Sequence, residues 1–295
     1  MKTDLNFPRV FYILAVYNAS LTEAPLSVSE IAPAQKPLAG QRRFPAARAV
    51  MALMLREMST RFGRTPGGYV WAILEPLGAI LILSIGFSLL LRAPSLGNSF
   101  LLFYASAYLV LSLYRNVSTT VARALSFSKA LLVYPSVIWI DALLARFFLN
   151  TLTNALVAYL LLSVIMVTVE TRITFDASIM VMAMLLAALL GLSIGTLNCA
   201  LFGLFPAWET IWNIATRPLF LASGIFYIYE DLPVLAQDIL WWNPLMHLTG
   251  LMRSGLYITY RPDHLSILYV LCFIVVPLSL GLLLLRRYHK DILNN

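Results

Sequence analysis

Arg217 is the side chain most at odds with its surroundings in this sequence. With Pro218 it stands inside the apolar stretch 205–253, where an arginine costs roughly 2.5 to 3.5 kcal/mol on membrane-insertion scales. Such a cation faces protein or a water-filled path. There it meets an anion or pairs with a carboxylate, and Glu75 and Glu209 are the candidate partners. A second polar set is Arg146, Asn150 and Asn154, which recur every four residues and so share one helical face. That stripe suits either the lining of a path or hydrogen bonding to a neighbouring helix.

The remaining chemistry-bearing residues point away from catalysis. His247 and His264 fall in one loop region and His289 near the chain end, so the three histidines do not make a metal site together. His247 alone offers either a base or a structural hydrogen bond. Cys199 and Cys272 both lie in apolar runs and read as small buried hydrophobes, with neither a disulfide framework nor a thiolate site supported. The chain has no G-x-x-x-x-G-K-[ST] phosphate loop, no H-E-x-x-H and no C-x-x-C. No catalytic or metal residue and no resident cofactor is expected.

These residues need a membrane scaffold to position them. Of 295 residues, 60% are hydrophobic and 12% charged, against about 25% charged in soluble domains. The mean hydropathy is +0.81. Apolar runs of about 20 residues suit helices crossing roughly 30 Å of hydrocarbon. The fold class is therefore an all-α membrane protein.

In chain order, residues 1–44 are rich in proline, and their one apolar run, 10–17, is too short to span. They are expected to be a mobile cytoplasmic tail. Over 45–62, Ala47, Val50, Met51, Met54, Leu55, Met58 and Phe62 share one face, with Arg48, Arg56 and Ser59 opposite. This predicts an amphipathic helix at the headgroup boundary. Six spans follow, at about 69–91, 100–121, 137–169, 178–204, 208–229 and 265–285. The loop 123–136 has room for a short helix. Gly191 and Gly195 give a small-xxx-small face for close helix approach, within the chain or in a dimer.

Charge sets the orientation. Arg48, Arg56, Arg61, Arg64, Arg115, Arg123, Lys129, Arg286, Arg287 and Lys290 gather on one side, and Arg92, Arg172, Arg253 and Arg261 on the other. By the positive-inside rule both termini are cytoplasmic. The formal net charge of +7 is thereby accounted for without nucleic acid.

Pro66-Gly67-Gly68-Tyr69 with Trp71, Glu75 and Pro76, then Arg217-Pro218-Leu219, Ser223-Gly224-Ile225-Phe226, Leu232-Pro233, Asn243-Pro244-Leu245 with His247, and Arg253 resemble the permease subunit of type-2 ABC exporters. The resemblance runs from about residue 45 to the C-terminus and lies closest to the capsular-polysaccharide export permeases of Gram-negative bacteria. It implies a homodimeric inner-membrane permease paired with two copies of a separate ATP-binding subunit, where ATP is bound and hydrolysed. The implied cargo is a lipid-linked polysaccharide, handed to periplasmic and outer-membrane partners. It also implies short re-entrant helices over 231–260.

Under that resemblance the loop 123–136 touches the ATP-binding subunit, with Arg123, Phe127, Lys129, Leu132 and Tyr134 as coupling residues. Aromatic faces stack on pyranose rings, so Tyr104, Tyr108, Trp212, Phe226 and Tyr227 are candidates for the substrate path beside Arg217. Trp241-Trp242 suits an interfacial aromatic belt. A permease for a drug or small lipid, and a membrane-embedded glycan-modifying enzyme built on Asp231, Asp238, Asp263, His247 and His264, are the alternatives.

Overall fold

The computed structural model describes residues 45–62, 67–132, 137–169, 175–257 and 259–294. The 1–44 tail lies outside the described residues, as do Tyr134 and Pro135 of the coupling loop. Among the described residues all regular structure is helical. The segment expected to be amphipathic forms the helix α1 (Pro45–Phe62), followed by α2 (Gly68–Ser88), α3 (Phe100–Ala122) and the short α4 (Ala124–Ser128). The long helices α5 (Trp139–Thr168) and α6 (Ala177–Leu204) come next. After them stand α7 (Pro206–Ala215), α8 (Leu219–Ala222), α9 (Val234–Leu240), α10 (Pro244–Leu256) and α11 (Ile267–Asn294).

Five of these helices, α2, α3, α5, α6 and α11, are long and apolar enough to cross a membrane. The expected span 208–229 is broken into α7, α8 and an irregular turn. The sequence supplies the cause. Pro218 lacks a backbone donor and disfavours helix at the residue before it, and Gly224 takes a left-handed φ of 73° that closes the turn after α8. Arg217 therefore sits at a helix break.

The α3–α6 pair forms the centre, flanked by α5 on the α3 side and α11 on the α6 side. Glycine makes this possible. A Cβ on Gly191 would stand 2.9 Å from the Tyr114 carbonyl oxygen, and one on Gly195 2.8 Å from that of Ser118. The small-xxx-small face thus serves packing within the chain. On the far side, a Cβ on Gly281 of α11 would lie 2.6 Å from the Leu197 backbone nitrogen, and Ser193 donates to the Ile274 carbonyl at 2.6 Å.

Local signals start the helices. Ser99 caps α3 by accepting from Leu102 at 3.4 Å, Asp176 caps α6 through Ser178 at 2.9 Å, and Asn243 caps α10 through Leu245 at 3.1 Å. Asn243 also donates to the Ala222 carbonyl at 2.8 Å, so one side chain joins two elements. The expected pair of short helices before the last span is present as α9 and α10.

Candidate functional site

One face of α3 is polar and open along the middle of an otherwise apolar helix. Tyr108, Ser112 and Asn116 are half-buried on it, and Arg115 and Thr119 are exposed. The opposite face, with Leu102, Val110, Val117 and Val121, is fully buried. Lipid is a poor neighbour for an arginine, an amide and three hydroxyls at membrane depth. A water-filled path or another protein chain suits them.

Two cavities flank this face in adjacent sectors. One, of about 250 Å³, lies between α3 and the α7–α8 break and is lined by Arg115, Trp212, Asn213, Thr216 and Arg217. Neither arginine forms an ion pair among the described residues. Of the two intramolecular partners expected for Arg217, Glu209 is taken by Arg123 at 2.6 Å, and Glu75 lines the other cavity. That second cavity, about 240 Å³, lies between α2, α3 and α5.

The Arg146-Asn150-Asn154 stripe holds helices together. Arg146 donates to the Thr120 carbonyl of α3 at 2.7 Å and pairs with Glu57 of α1 at 3.3 Å, both side chains being buried. Asn154 accepts from Asn116 of α3 at 2.8 Å. Asn150 and Asn154 also line the cavity beside Glu75, so the two readings of the stripe meet there.

Below the α3 face lies the segment expected to touch an ATP-binding partner. Phe127 of α4 is 43% exposed, yet the Arg146 guanidinium sits 4.1 Å from its ring centroid and that of Arg56 5.6 Å. Arg123 links α4 to α7 through Glu209. Lys129 is exposed and Leu132 half-buried. A third cavity, about 550 Å³, opens between Glu57, Thr119, Arg123, Phe127 and Arg146. Thr119 lines both this cavity and the one that holds Arg217.

The aromatic candidates separate. Tyr108 lies on the open α3 face and Trp212 lines the arginine cavity. Tyr104 is 1% exposed and packs among Phe87, Phe103 and Phe226 with centroids 5.3 to 6.4 Å away. Phe226 belongs to the same cluster. Tyr227 is half-buried and donates to the Leu221 carbonyl at 2.8 Å. The structure brings Arg217, Trp212 and Tyr108 to the open side and leaves Tyr104 and Phe226 in the packing.

At the other end, Arg253 is 1% exposed. It donates to the Tyr227 carbonyl at 2.7 Å and the Ile225 carbonyl at 3.2 Å, and stacks over Phe103 at 4.1 Å. It thereby fixes the turn after α8 onto α10 and α3. His247 engages both ring nitrogens, one with the Trp241 carbonyl at 2.8 Å and the other accepting from the Ser266 amide at 3.3 Å. Glu230 lies 3.3 Å from His264 and accepts from Tyr260 at 2.8 Å. Burial holds the His264 pKa below its usual value, with the Glu230 carboxylate opposing.

The ABC-2 type transporter family matches residues 48–257. The chain belongs to that family. It is 30% identical over 246 residues to the polysialic acid transport protein KpsM of Escherichia coli, covering 83% of this chain and 95% of the relative. It is 26% identical over 246 residues to the capsule polysaccharide export inner-membrane protein BexB of Haemophilus influenzae, covering 83% and 92%. Against the capsule polysaccharide export inner-membrane protein CtrC of Neisseria meningitidis serogroup B, identity is 27% over 251 residues, again covering 83% and 92%. The match of this ABC-2 chain begins near α1, so the 1–44 segment stands outside it.

Two residues of the site were not singled out from sequence. Glu57 is the lone carboxylate among the arginines of α1, which was its signal. Arg115 reads from sequence as one of the basic residues on the cytoplasmic side. In the structure it stands seven residues before the α3 C-terminus, about 10 Å along the axis.

Proposed function

We propose that this chain is the transmembrane subunit of an ATP-driven exporter that moves a lipid-linked surface polysaccharide across the bacterial inner membrane. The observation that carries the reading is the open polar face of α3 with its two flanking cavities. Named relatives act on polysialic acid and capsule polysaccharide, polymers rich in hydroxyls and, for polysialic acid, in carboxylates. Arg115 and Arg217 suit the anionic groups of such a cargo, and Tyr108 and Trp212 suit its sugar faces.

In this reading α7, the break and α8 make a sixth, discontinuous crossing between the end of α6 at Leu204 and the α9–α10 pair that begins at Val234. Both termini are then cytoplasmic, and α1 lies along the inner headgroups. The open α3 face calls for a second copy of the chain to close it into a conduit. Two ATP-binding subunits dock on α4 through Phe127, Arg123, Lys129 and Leu132, supplying the ATP chemistry for which this sequence has no phosphate loop. Thr119 carries movement at α4 towards the Arg217 cavity. Periplasmic and outer-membrane proteins take up the polymer. His247, with both nitrogens engaged, has none left for a base, which weighs against a glycan-modifying enzyme.

The test is deletion of the gene in its source bacterium, with intracellular and surface polysaccharide extracted separately. Glycan retained inside with none at the surface supports export. Unchanged surface glycan contradicts it and points to another cargo.

A further inference from the structure

We infer that the cavity between α2, α3 and α5 is a binding site for one neutral, hydroxyl-bearing sugar residue of the cargo, an inference that rests on the polysaccharide reading above. Its volume, about 240 Å³, falls below the roughly 300 Å³ at which pockets for drug-sized ligands begin. That suits a single ring rather than an oligomer.

The lining carries the chemical argument. Glu75 stands in the second turn of α2 and forms neither an ion pair nor a hydrogen bond among the described residues. A carboxylate at membrane depth needs water or a ligand. Ser112, Asn116, Thr153 and Asn154 line the same cavity. The Asn116 amide nitrogen donates to Asn154 at 2.8 Å and to Ser112 at 3.4 Å. Those bonds leave the Asn116 carbonyl as an acceptor and the Ser112 hydroxyl proton as a donor.

Acceptors and a donor are thus interleaved around the cavity. A cation would use the acceptors alone, and an anion would be repelled by Glu75. A hydroxyl, which donates and accepts at once, matches the set. Trp71 is 60% exposed and lines the same cavity, placing an aromatic face where the apolar C–H face of a ring would rest. The arginine cavity occupies the neighbouring sector of α3, so the two sites divide the cargo by charge.

The test uses the full chain with its ATP-binding partner in lipid nanodiscs without nucleotide. The probe is a set of oligosaccharides released by partial hydrolysis of the source strain's own surface polysaccharide. Removing a charged hydrogen-bond partner weakens binding by about tenfold or more, so Glu75→Ala should do so, and Glu75→Gln, which keeps the shape and one carbonyl acceptor, by less. Ser112→Ala provides a second variant with little effect on packing, and thermal unfolding checks that each protein is folded. Wild-type affinity in folded Glu75→Ala and Ser112→Ala would overturn the site. If affinity is then still lost in Arg217→Gln, the polysaccharide reading stands without it. Absence of wild-type binding, together with unchanged surface glycan on gene deletion, overturns both.

Discussion

Arg146 of α5 and Glu57 of α1 form a buried ion pair at 3.3 Å, and the same guanidinium lies over the ring of Phe127 in α4. Three elements of separate sequence origin therefore meet on one side chain: the N-terminal helix α1, a long apolar helix and the segment proposed to meet the ATP-binding subunit. Removing one partner of a buried pair strands the other charge, at about 3 to 5 kcal/mol. We expect Glu57→Ala to lower the thermal midpoint of the purified chain sharply. The double variant Glu57→Leu with Arg146→Met should recover much of that stability while transport stays impaired, because Phe127 has lost the nearer of its two cationic contacts and keeps only that of Arg56. Full transport in the double variant would mean that the pair is only structural.

The exposed pair Arg123–Glu209 should behave differently. Such pairs contribute about 0 to 1 kcal/mol, so Arg123→Ala should leave the midpoint nearly unchanged. Its expected effect is on coupling, seen as ATP hydrolysis by the assembled transporter without matching glycan export. An unchanged ratio of ATP hydrolysed to glycan exported would remove Arg123 from the coupling segment.

Gly195→Val tests the α3–α6 contact. Its Cβ would press on the Ser118 carbonyl and on Val121, each 2.8 Å away. Overpacking of this kind costs about 1 to 3 kcal/mol. Folded protein recovered from membranes should fall well below that of Gly78→Val, where a Cβ meets nothing within 4 Å. Equal recovery would show that the two helices separate without cost.

These contacts show what the sequence could and could not disclose. Hydropathy located four of the five long helices to within three residues and the start of the last, whose helix continues past the expected end at 285 to Asn294 because the polar tail stays helical, and caps such as Asp176 and Ser99 mark where helices start. The break at Pro218 was visible as a residue but not as an interruption, since hydropathy averages across one proline. The Arg146 stripe was legible as a periodicity. Its partners were not, because Glu57 and Thr120 lie far away in sequence. For the aromatics, residue type alone cannot separate Tyr108, on the open face, from Tyr104, one turn earlier and buried.

His264 sets a pH dependence. Burial depresses its pKa, while Glu230 and Asp263 oppose and His247 packs against its ring. The unfolded chain therefore binds the proton more readily, and the stability this group contributes is present above its unfolded pKa of about 6.5 and lost as pH falls below it. The thermal midpoint should drop on acidification from about pH 7.5 to about pH 5.5, and His264→Gln should flatten that drop. An identical drop in the variant would assign the effect to other groups.

The most direct test of the path is water access to the α3 face. Single cysteines replace Tyr108, Ser112, Arg115 and Thr119 on that face, and Val110, Leu113 and Val117 on the buried one, in a Cys272→Ser background. Assembled transporter in membrane vesicles is then treated with a charged, water-soluble thiol reagent. Labelling is expected at 108, 112, 115 and 119, slowed when cargo is present, and none at 110, 113 and 117. Labelling absent from all seven positions, or unaffected by cargo at every one, would contradict a polysaccharide path along α3.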